Sequence, residues 1–327
     1  MAKERRSLDY LKRFQSVLAL ALMVLALAFM SDKFLTVDNG LNVLRQICVN
    51  LCLSVGMTII ILSGGIDLSV GSMLALSGAM AAGLLKDGVA IPGTDVFVEV
   101  TVSGAILVGV LVGTALGWFN GFVITRFKLP PFVATLGMLS IARGLTMLWT
   151  GGFPITRLGD SFDFIGSGHW LGLPMPVWIS AALVALFILA MKRTRFGRHV
   201  YAVGGSEKAA RLSGLNVRRI KLLVYTLGGA LSGVAGLLVT ARLDSATPNA
   251  GGSYELDSIA AVVIGGTSLN GGRGTIMGTV LGCLIIGVLN NGLVLLEVSP
   301  FWQQVIKGLV ILVAVAVDKA ASRNGRE

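Results

Sequence analysis

The stretch ILSGGIDLSVGS, residues 61–72, places two glycines and a carboxylate, Gly64, Gly65 and Asp67, within an apolar run. In a soluble protein such a run is consistent with a buried strand that ends in a turn. In a membrane protein it interrupts a transmembrane helix, and the freed backbone groups then need partners that lipid does not provide. The composition of the whole chain decides between these two interpretations.

The composition favours the membrane. Of the 327 residues, 54% are hydrophobic and 13% are charged, and the mean hydropathy is +0.81, far outside the range of ordinary globular domains. A membrane-crossing helix needs about 20 apolar residues. We therefore predict an all-α integral membrane protein of about ten transmembrane helices, with glycine-broken or re-entrant segments. The candidate segments are 15–31, 44–63, 69–85, 101–125, 130–150, 176–191, 221–241, 257–266 (too short to span alone), 275–294 and 301–317.

The first segment has the basic flank and apolar core of a secretory signal, but no small-residue cleavage site follows Met30. We predict that it is retained as a membrane helix. The chain then divides into a cytoplasmic N-terminal segment (1–14), a single transmembrane domain (15–317) and a cytoplasmic tail (318–327).

Basic residues are segregated along the chain, whose formal charge is +10. If the N-terminus is cytoplasmic, the inside segments hold 20 Lys or Arg against 5 Asp or Glu, and the outside segments hold 5 against 11. Short loops rich in Lys and Arg stay on the cytoplasmic side. The pattern predicts ten crossings with both termini in the cytoplasm, and it explains the charge without a nucleic acid partner. The inside segments are 1–14, 126–128, 192–221, 267–274 and 318–327, and the outside segments are 31–45, 86–99, 151–175, 242–257 and 294–300.

Metal and cofactor chemistry is not indicated. The cysteines lie inside apolar segments, and neither histidine stands near another metal-type residue at ligand spacing. We predict no metal and no cofactor. The residues concerned are Cys48, Cys52, Cys283, His169 and His199.

The loop 192–221 holds nine Lys or Arg and a single acid. Within it, SEKAARLSG predicts a short helix that Ser206 caps and Gly214 ends. A capped helix on the cytoplasmic face suits the docking of a cytoplasmic protein. Binding of anionic lipid headgroups and a solvated loop that only fixes orientation are the alternatives. The candidate docking residues are Glu207, Ala209, Ala210, Arg211 and Gly214.

A second glycine pair, Gly265 and Gly266, repeats the pattern GGxxLxxG of the first at an offset of 201 residues. Chance and internal duplication both explain this echo, and a second echo, GTALG at 113–117 against GTVLG at 278–282, has a different offset of 165. In transporters, interrupted helices place half-helix ends beside the transport pathway. The candidate substrate-pathway residues are Gly64, Gly65, Asp67, Asn120, Arg143, Gly265, Gly266, Asn290 and Asn291.

Charged and amide side chains in the apolar segments need partners. Asp67 is either the N-cap of the following helix, accepting from the amides of Ser69 or Val70, or a contact for the solute. Arg143 lies well inside the fifth segment and needs a partner or a wet cavity, whereas Lys307 lies near a segment end and is expected to extend towards water. The asparagines suit either a hydroxyl group of a solute or a neighbouring helix.

Three motifs, in order, are SGGIDLSVGS (63–72), GRHVYAVGGSEKAARLSGLNVRRIK (197–221) and YELDSIAAVVIGGTSLNGGRGTIMGT (254–279). Together they resemble the membrane permease subunits of bacterial ABC importers for ribose and related monosaccharides, and the resemblance runs from about residue 15 to Asp318. It implies a subunit of the bacterial inner membrane. The partners that it implies are a second permease copy, a cytoplasmic ATPase subunit and a periplasmic sugar-binding protein, with membrane lipid around them.

The resemblance also implies a role for the short cytoplasmic helix, which ABC permeases insert into a groove of the ATPase. Ala209, Ala210 and Gly214 match the usual spacing, but Lys208 stands where an acidic residue is commoner, and Glu207 comes one place earlier. No G-x-x-x-x-G-K-[ST] phosphate loop occurs in the sequence, so we expect ATP hydrolysis on a partner. An ion-coupled secondary transporter is the main alternative, and another pentose, a hexose or a furanosyl signal is the alternative substrate.

Overall fold

The computed structural model describes residues 2–90 and 97–323 of the chain, and most of them are helical. The predicted tail 318–327 and outer loop 86–99 therefore fall partly outside the described residues. The helices are α1 (Ala2–Met30), α2 (Val37–Leu62), α3 (Val70–Asp87), α4 (Val102–Phe127), α5 (Pro131–Thr150), α6 (Asp160–Ser167), α7 (Met175–Arg193), α8 (Arg195–Gly205), α9 (Glu207–Leu212), α10 (Val217–Arg242), α11 (Tyr254–Ile264), α12 (Ile276–Leu295) and α13 (Pro300–Arg323).

The strands are two residues long and form three antiparallel pairs among the described residues. Val89–Ala90 (β1) pairs with Phe97–Val98 (β2), and His169–Trp170 (β4) pairs with Leu173–Pro174 (β5). Ile155–Thr156 (β3) pairs with Ser245–Ala246 (β6), which ties the loop after α5 to the loop after α10.

Each predicted apolar segment coincides with one of the helices. By length and composition, six of the described helices can cross a membrane: α2, α4, α5, α7, α10 and α12. The apolar parts of α1 (Ser16–Met30) and α13 (Pro300–Val313) are shorter. Helix α11 has 11 residues, as expected of a segment too short to span alone. The prediction of an all-α membrane protein is confirmed, and six spans satisfy the criterion rather than ten.

Helices α2 and α10 form the centre of the fold. Their most apolar windows are 78% and 67% buried, whereas those of α4, α5 and α7 are only 22% buried. Val55, Ile59 and Ile60 of α2 and Val224 and Tyr225 of α10 belong to one buried cluster. The peripheral helices therefore touch the core along narrow stripes and present apolar residues outward, as lipid-facing helices do.

Helix α4 meets α10 through a ladder of glycines that the sequence analysis did not identify. A Cβ on Gly113 would overlap the Gly229 carbonyl oxygen, and a Cβ on Gly117 would overlap that of Tyr225. The signal was present, because Gly109, Gly113, Gly117 and Gly121 recur every four residues, and small residues at this spacing let membrane helices approach closely.

Candidate functional site

The helix break predicted at the first glycine pair is present at the end of α2. The Gly64 amide donates to the Ile61 carbonyl (2.9 Å), and the Gly65 amide donates to the Ile60 carbonyl (3.0 Å). Gly64 has φ +82°, a conformation that a side chain disfavours. The chain then runs without helix until α3 begins at Val70, so the two helices are separated by irregular backbone.

Asp67 lies in this irregular segment and is fully buried. Its Oδ1 accepts hydrogen bonds from the backbone amide of Ser69 (2.8 Å) and from the Ser69 hydroxyl (2.5 Å). Asn120 of α4 donates to the same hydroxyl (2.9 Å) and to Asp67 Oδ2 (3.5 Å). Asp67 thus accepts the predicted hydrogen bond from the Ser69 amide. The N-cap residue of α3 is nevertheless Ser69, because α3 begins at Val70 and not directly after Asp67.

Ile66 supplies the other polar contacts of the break. Its carbonyl oxygen accepts hydrogen bonds from the Thr135 hydroxyl of α5 (3.4 Å) and the Tyr225 hydroxyl of α10 (3.5 Å). No ion pair of Asp67 is found among residues 2–90 and 97–323. The freed backbone is therefore satisfied by neutral side chains of the surrounding helices, as burial in a membrane protein requires.

The second glycine pair forms the same turn at the end of α11. The Gly266 amide donates to the Val263 carbonyl (2.8 Å), and the Thr267 amide donates to the Val262 carbonyl (3.1 Å). In backbone geometry Gly266 therefore corresponds to Gly64, at an offset of 202 residues, one more than the 201 at which the sequence letters repeat. A helix that ends in a left-handed glycine forms this turn whatever its ancestry, so the shared geometry does not decide between chance and duplication.

The two breaks meet α8 at one point. The Gly272 amide donates to the Leu62 carbonyl (3.0 Å), and a Cβ on Gly204 would overlap that carbonyl oxygen. Gly271 lies between Gly204 and Gly64, and a Cβ there would approach backbone atoms of both to about 3 Å. We call these four glycines and Leu62 the glycine junction. It joins the loop 192–221 to the end of α2 and to the loop after α11.

The predicted docking helix is present as α9, preceded by the amphipathic helix α8, which the sequence analysis missed. The Ser206 hydroxyl accepts the Ala209 amide (3.2 Å), so the predicted N-cap is confirmed. Gly214 has φ +82°, and the next amide, that of Leu215, donates to the Ala210 carbonyl (3.1 Å). The helix is therefore closed at both ends by local hydrogen bonds.

The candidate docking residues point in different directions. Ala210 is buried against the core, 5% exposed, whereas Ala209 and Arg211 are exposed. Leu212, which the sequence analysis did not select, is 81% exposed. Ala210 therefore anchors α9 to the protein, and the surface open to a partner includes Ala209, Arg211 and Leu212.

Glu207 is committed to internal ion pairs. Its carboxylate contacts Lys221 Nζ of α10 (2.7 Å) and Arg211 Nη2 one helical turn later (3.0 Å). The hydrogen bond from Lys221, followed by the charges of Lys221 and Arg211, holds the pKa of Glu207 below its usual range although partial burial opposes this. Glu207 therefore holds α9 against the start of α10.

We expect Glu207→Gln to lower the stability of the protein near pH 7 by up to about 1 kcal/mol, the scale of half-exposed ion pairs. Because the pKa of Glu207 is lower in the folded than in the unfolded chain, its contribution is complete above the unfolded value and is lost as the pH falls through the folded value. The thermal midpoints of wild type and variant in nanodiscs should converge on acidification. The control is Glu297→Gln, because Glu297 has no ion pair among the described residues. A difference that persists at low pH would contradict the ionic origin.

The remaining pathway candidates are dispersed. Arg143 Nη1 donates to the carbonyls of Pro248 (2.6 Å) and Ala250 (2.9 Å) in the loop after α10. It therefore holds that loop and does not meet Asp67. Gly265 packs against Gly278 of α12 so closely that neither position has room for a Cβ.

The two neighbouring asparagines of α12 differ. Asn291 exchanges two hydrogen bonds with Asn39 of α2 (2.8 and 3.0 Å), which is a helix-packing role. The buried Oδ1 of Asn290 has no hydrogen-bond partner within the described parts of the chain. Lys307 is paired with Asp257 of α11 (3.0 Å), a partner not predicted from the sequence, and its side chain is 25% exposed.

Comparison with known proteins gives a consistent result. The family described as branched-chain amino acid transport system / permease component matches residues 39–315. The chain is 49% identical over 308 residues to the ribose import permease protein RbsC of Bacillus subtilis, covering 93% of this chain and 92% of that protein. The corresponding protein of Haemophilus influenzae is 47% identical with the same coverage. The galactose/methyl galactoside import permease protein MglC of Haemophilus influenzae is 35% identical over 326 residues, covering 97% of this chain and 96% of that protein.

Proposed function

The chain belongs to the family of permease components described for the branched-chain amino acid transport system, and we propose that it is the membrane subunit of an ABC importer for ribose. The relatives that support ribose are 45–49% identical over 92–94% of their own length. Relatives named for allose and galactose are 38% and 35% identical. The ribose importer is therefore the first function to test.

We propose that the energy for transport comes from a separate ATPase subunit, because this sequence has no phosphate loop. A periplasmic sugar-binding protein delivers the solute, and a second copy of the chain completes the pathway. The protein is a multi-pass protein of the bacterial inner membrane, in contact with its lipid.

We propose ten crossings with both termini in the cytoplasm. The charge asymmetry between the two sets of loops supports this orientation. Helix α11, with 11 residues, fits it as a half-crossing completed by irregular backbone.

We propose that α9 receives force from the ATPase and that α8 transmits it. The observation that carries this proposal is the glycine junction, where α8 lies directly on the end of α2 and on the loop after α11. The Tyr201 hydroxyl of α8 also donates to the Gly274 carbonyl of that loop (2.8 Å). A displacement of α8 therefore acts on both broken helices at once.

The break at Asp67 is, in this proposal, the segment that α2 moves. The carboxylate is fully buried and its oxygens already accept from Ser69 and Asn120. It therefore suits a structural role in the break better than direct contact with sugar. Gly64, Gly65, Gly265 and Gly266 provide the irregular backbone on which such a rearrangement depends.

The test of this function is reconstitution of the chain with its ATPase and binding protein in proteoliposomes. We expect ATP-dependent uptake of ribose, and Leu212→Glu should reduce both uptake and ribose-stimulated ATP hydrolysis by about tenfold or more, as for loss of one interface hot spot. The matched control is Leu129→Glu, a half-exposed leucine in the loop between α4 and α5.

Two outcomes would overturn the proposal. One is uptake by this chain alone, driven by a proton gradient without ATP, which would identify a secondary transporter. The other is an unchanged Leu212→Glu complex, which would remove α9 as the docking surface. Normal membrane insertion of both leucine variants excludes misfolding as the cause.

A further inference from the structure

A polar cavity lies apart from the glycine junction, between α2, α11, α12 and α13. Its volume is about 240 Å³, and its wall combines amide and charged groups with apolar side chains such as Ile47 and Val49. We call it the outer cavity. Its volume is slightly below the roughly 300–1,000 Å³ of sites for drug-sized ligands, which suits a smaller molecule.

On α12 and α13, the residues of the outer cavity lie near the ends that we assign to the extracytoplasmic side. Asn290 is five residues from the end of α12, and Lys307 is seven residues from the start of α13. On α2, twelve residues, or about 18 Å of helix, separate Asn50 from Leu62 of the glycine junction. The outer cavity and the break at Asp67 are therefore different places along the membrane normal.

Asn290 is the group of the outer cavity that lacks a partner. Its Oδ1 is buried and accepts no hydrogen bond from the described residues, and Asn290 lines the cavity. A buried amide oxygen without a partner costs about 1–3 kcal/mol. Asn291, beside it, satisfies its side chain with Asn39, so the unsatisfied oxygen is specific to the residue that faces the cavity.

Three other polar groups of the wall, Lys307, Asp257 and Asn50, are held in place. Lys307 and Asp257 form an ion pair at the cavity (3.0 Å) in which Asp257 is 7% exposed. Asn50 accepts a hydrogen bond from Ser258 (3.1 Å), which orients its amide on the wall. Fixed donors and acceptors around apolar surface are what a polyhydroxylated ligand requires.

We propose that the outer cavity is a binding site for a monosaccharide, entered from the extracytoplasmic side, with Asn290 Oδ1 accepting a sugar hydroxyl. This deepens the proposed function and rests on it. The opposite charges of Asp257 and Lys307 offset each other, and Arg242 adds a positive charge to the wall, so the cavity does not favour a metal ion. The ligand completes the hydrogen bonding that the protein leaves open at Asn290.

The first experiment measures access and protection directly. Asn290→Cys is reconstituted in the full complex, and a membrane-impermeant methanethiosulfonate is added from the extracytoplasmic side with and without ribose. The native cysteines are buried, so wild type gives the background. We expect the thiol at position 290 to be labelled. Saturating ribose should decrease the labelling rate by about fivefold or more, because an occupied site shields the thiol. Sucrose, which exceeds the cavity in size, should give no protection.

The second experiment measures transport. We expect Asn290→Leu to lower ribose uptake about tenfold, the equivalent of one lost hydrogen bond, with ATPase assembly unchanged. Asn290→Ser, which keeps a hydroxyl, should recover part of the rate and guards against a folding defect. The control is Asn249→Leu, an exposed amide in the outer loop.

The inference and the proposed function fail in different ways. If wild type shows ATP-dependent ribose uptake but the thiol of Asn290→Cys is unreactive or ribose does not protect it, the outer cavity is not a sugar site and the importer assignment stands. Protection by ribose 5-phosphate instead of ribose would assign the site to an anion and overturn the proposal. Absence of ATP-dependent ribose uptake by wild type would overturn both.

Discussion

Gly204→Ala is expected to abolish transport, because one methyl group at this position has no space. Its Cβ would overlap the Leu62 carbonyl oxygen and would also approach the Gly272 amide. These are backbone atoms, which cannot rotate away as a side chain can, so α8 must separate from α2 at a cost of about 1–3 kcal/mol or more. The measurement is ATP-dependent ribose uptake in proteoliposomes, together with the thermal midpoint of the purified complex.

Gly205→Ala is the matched control. A Cβ at Gly205 meets no atom within 4 Å, and alanine favours the helix over glycine by about 1 kcal/mol. We expect this neighbour to be neutral or slightly stabilised. The outcome that contradicts the role of the glycine junction is a Gly204→Ala complex with wild-type uptake, or equal loss of uptake in both variants.

The sequence predicted the helices well because hydropathy reports the environment of a segment. All ten apolar segments coincide with helices, although α2 begins at Val37 and not near residue 44, and α10 begins at Val217 and not at 221. These early starts contain polar and basic residues, which lower the hydropathy without breaking the helix. Local signals were equally readable, since Ser206 caps α9 through an amide three residues away.

What the sequence could not provide is the pairing of residues far apart in the chain. Lys307 reads as a terminal cation, yet its partner Asp257 lies 50 residues earlier. The basic loop 192–221 does not reveal α8, because the apolar face of this helix becomes visible only against α2 and α7. The letters of the glycine pairs repeat at 201 residues and the turns at 202, because a turn is defined by which amide donates to which carbonyl.

The second large effect is expected from the glycine ladder between α4 and α10. In the double variant Gly113→Ala/Gly117→Ala, the added methyl groups would overlap the carbonyl oxygens of Gly229 and Tyr225. Helix α4 is buried almost only along this stripe, so no other face can hold it in place. We expect loss of the properly folded protein from detergent extracts, measured as the monodisperse fraction on size-exclusion chromatography.

Alanine at Gly137 and Gly144 of α5 tests whether helix propensity alone changes the protein. A methyl group added at either position would meet no atom within 4 Å, and both glycines are exposed, so this pair should remain monodisperse. A ladder variant that behaves like this control would show that close approach of α4 and α10 is dispensable.

The ladder also connects the fold to the candidate site, since α4 carries Asn120, which bonds to Ser69 and Asp67. Displacement of α4 would remove this donor from a carboxylate that has no cation partner among the described residues. A single Gly117→Ala variant that still folds should therefore behave like Asn120→Ala, with reduced uptake and normal ATPase binding. If Gly117→Ala reduced ATPase binding while Asn120→Ala did not, the ladder would act on the cytoplasmic surface and not on the break.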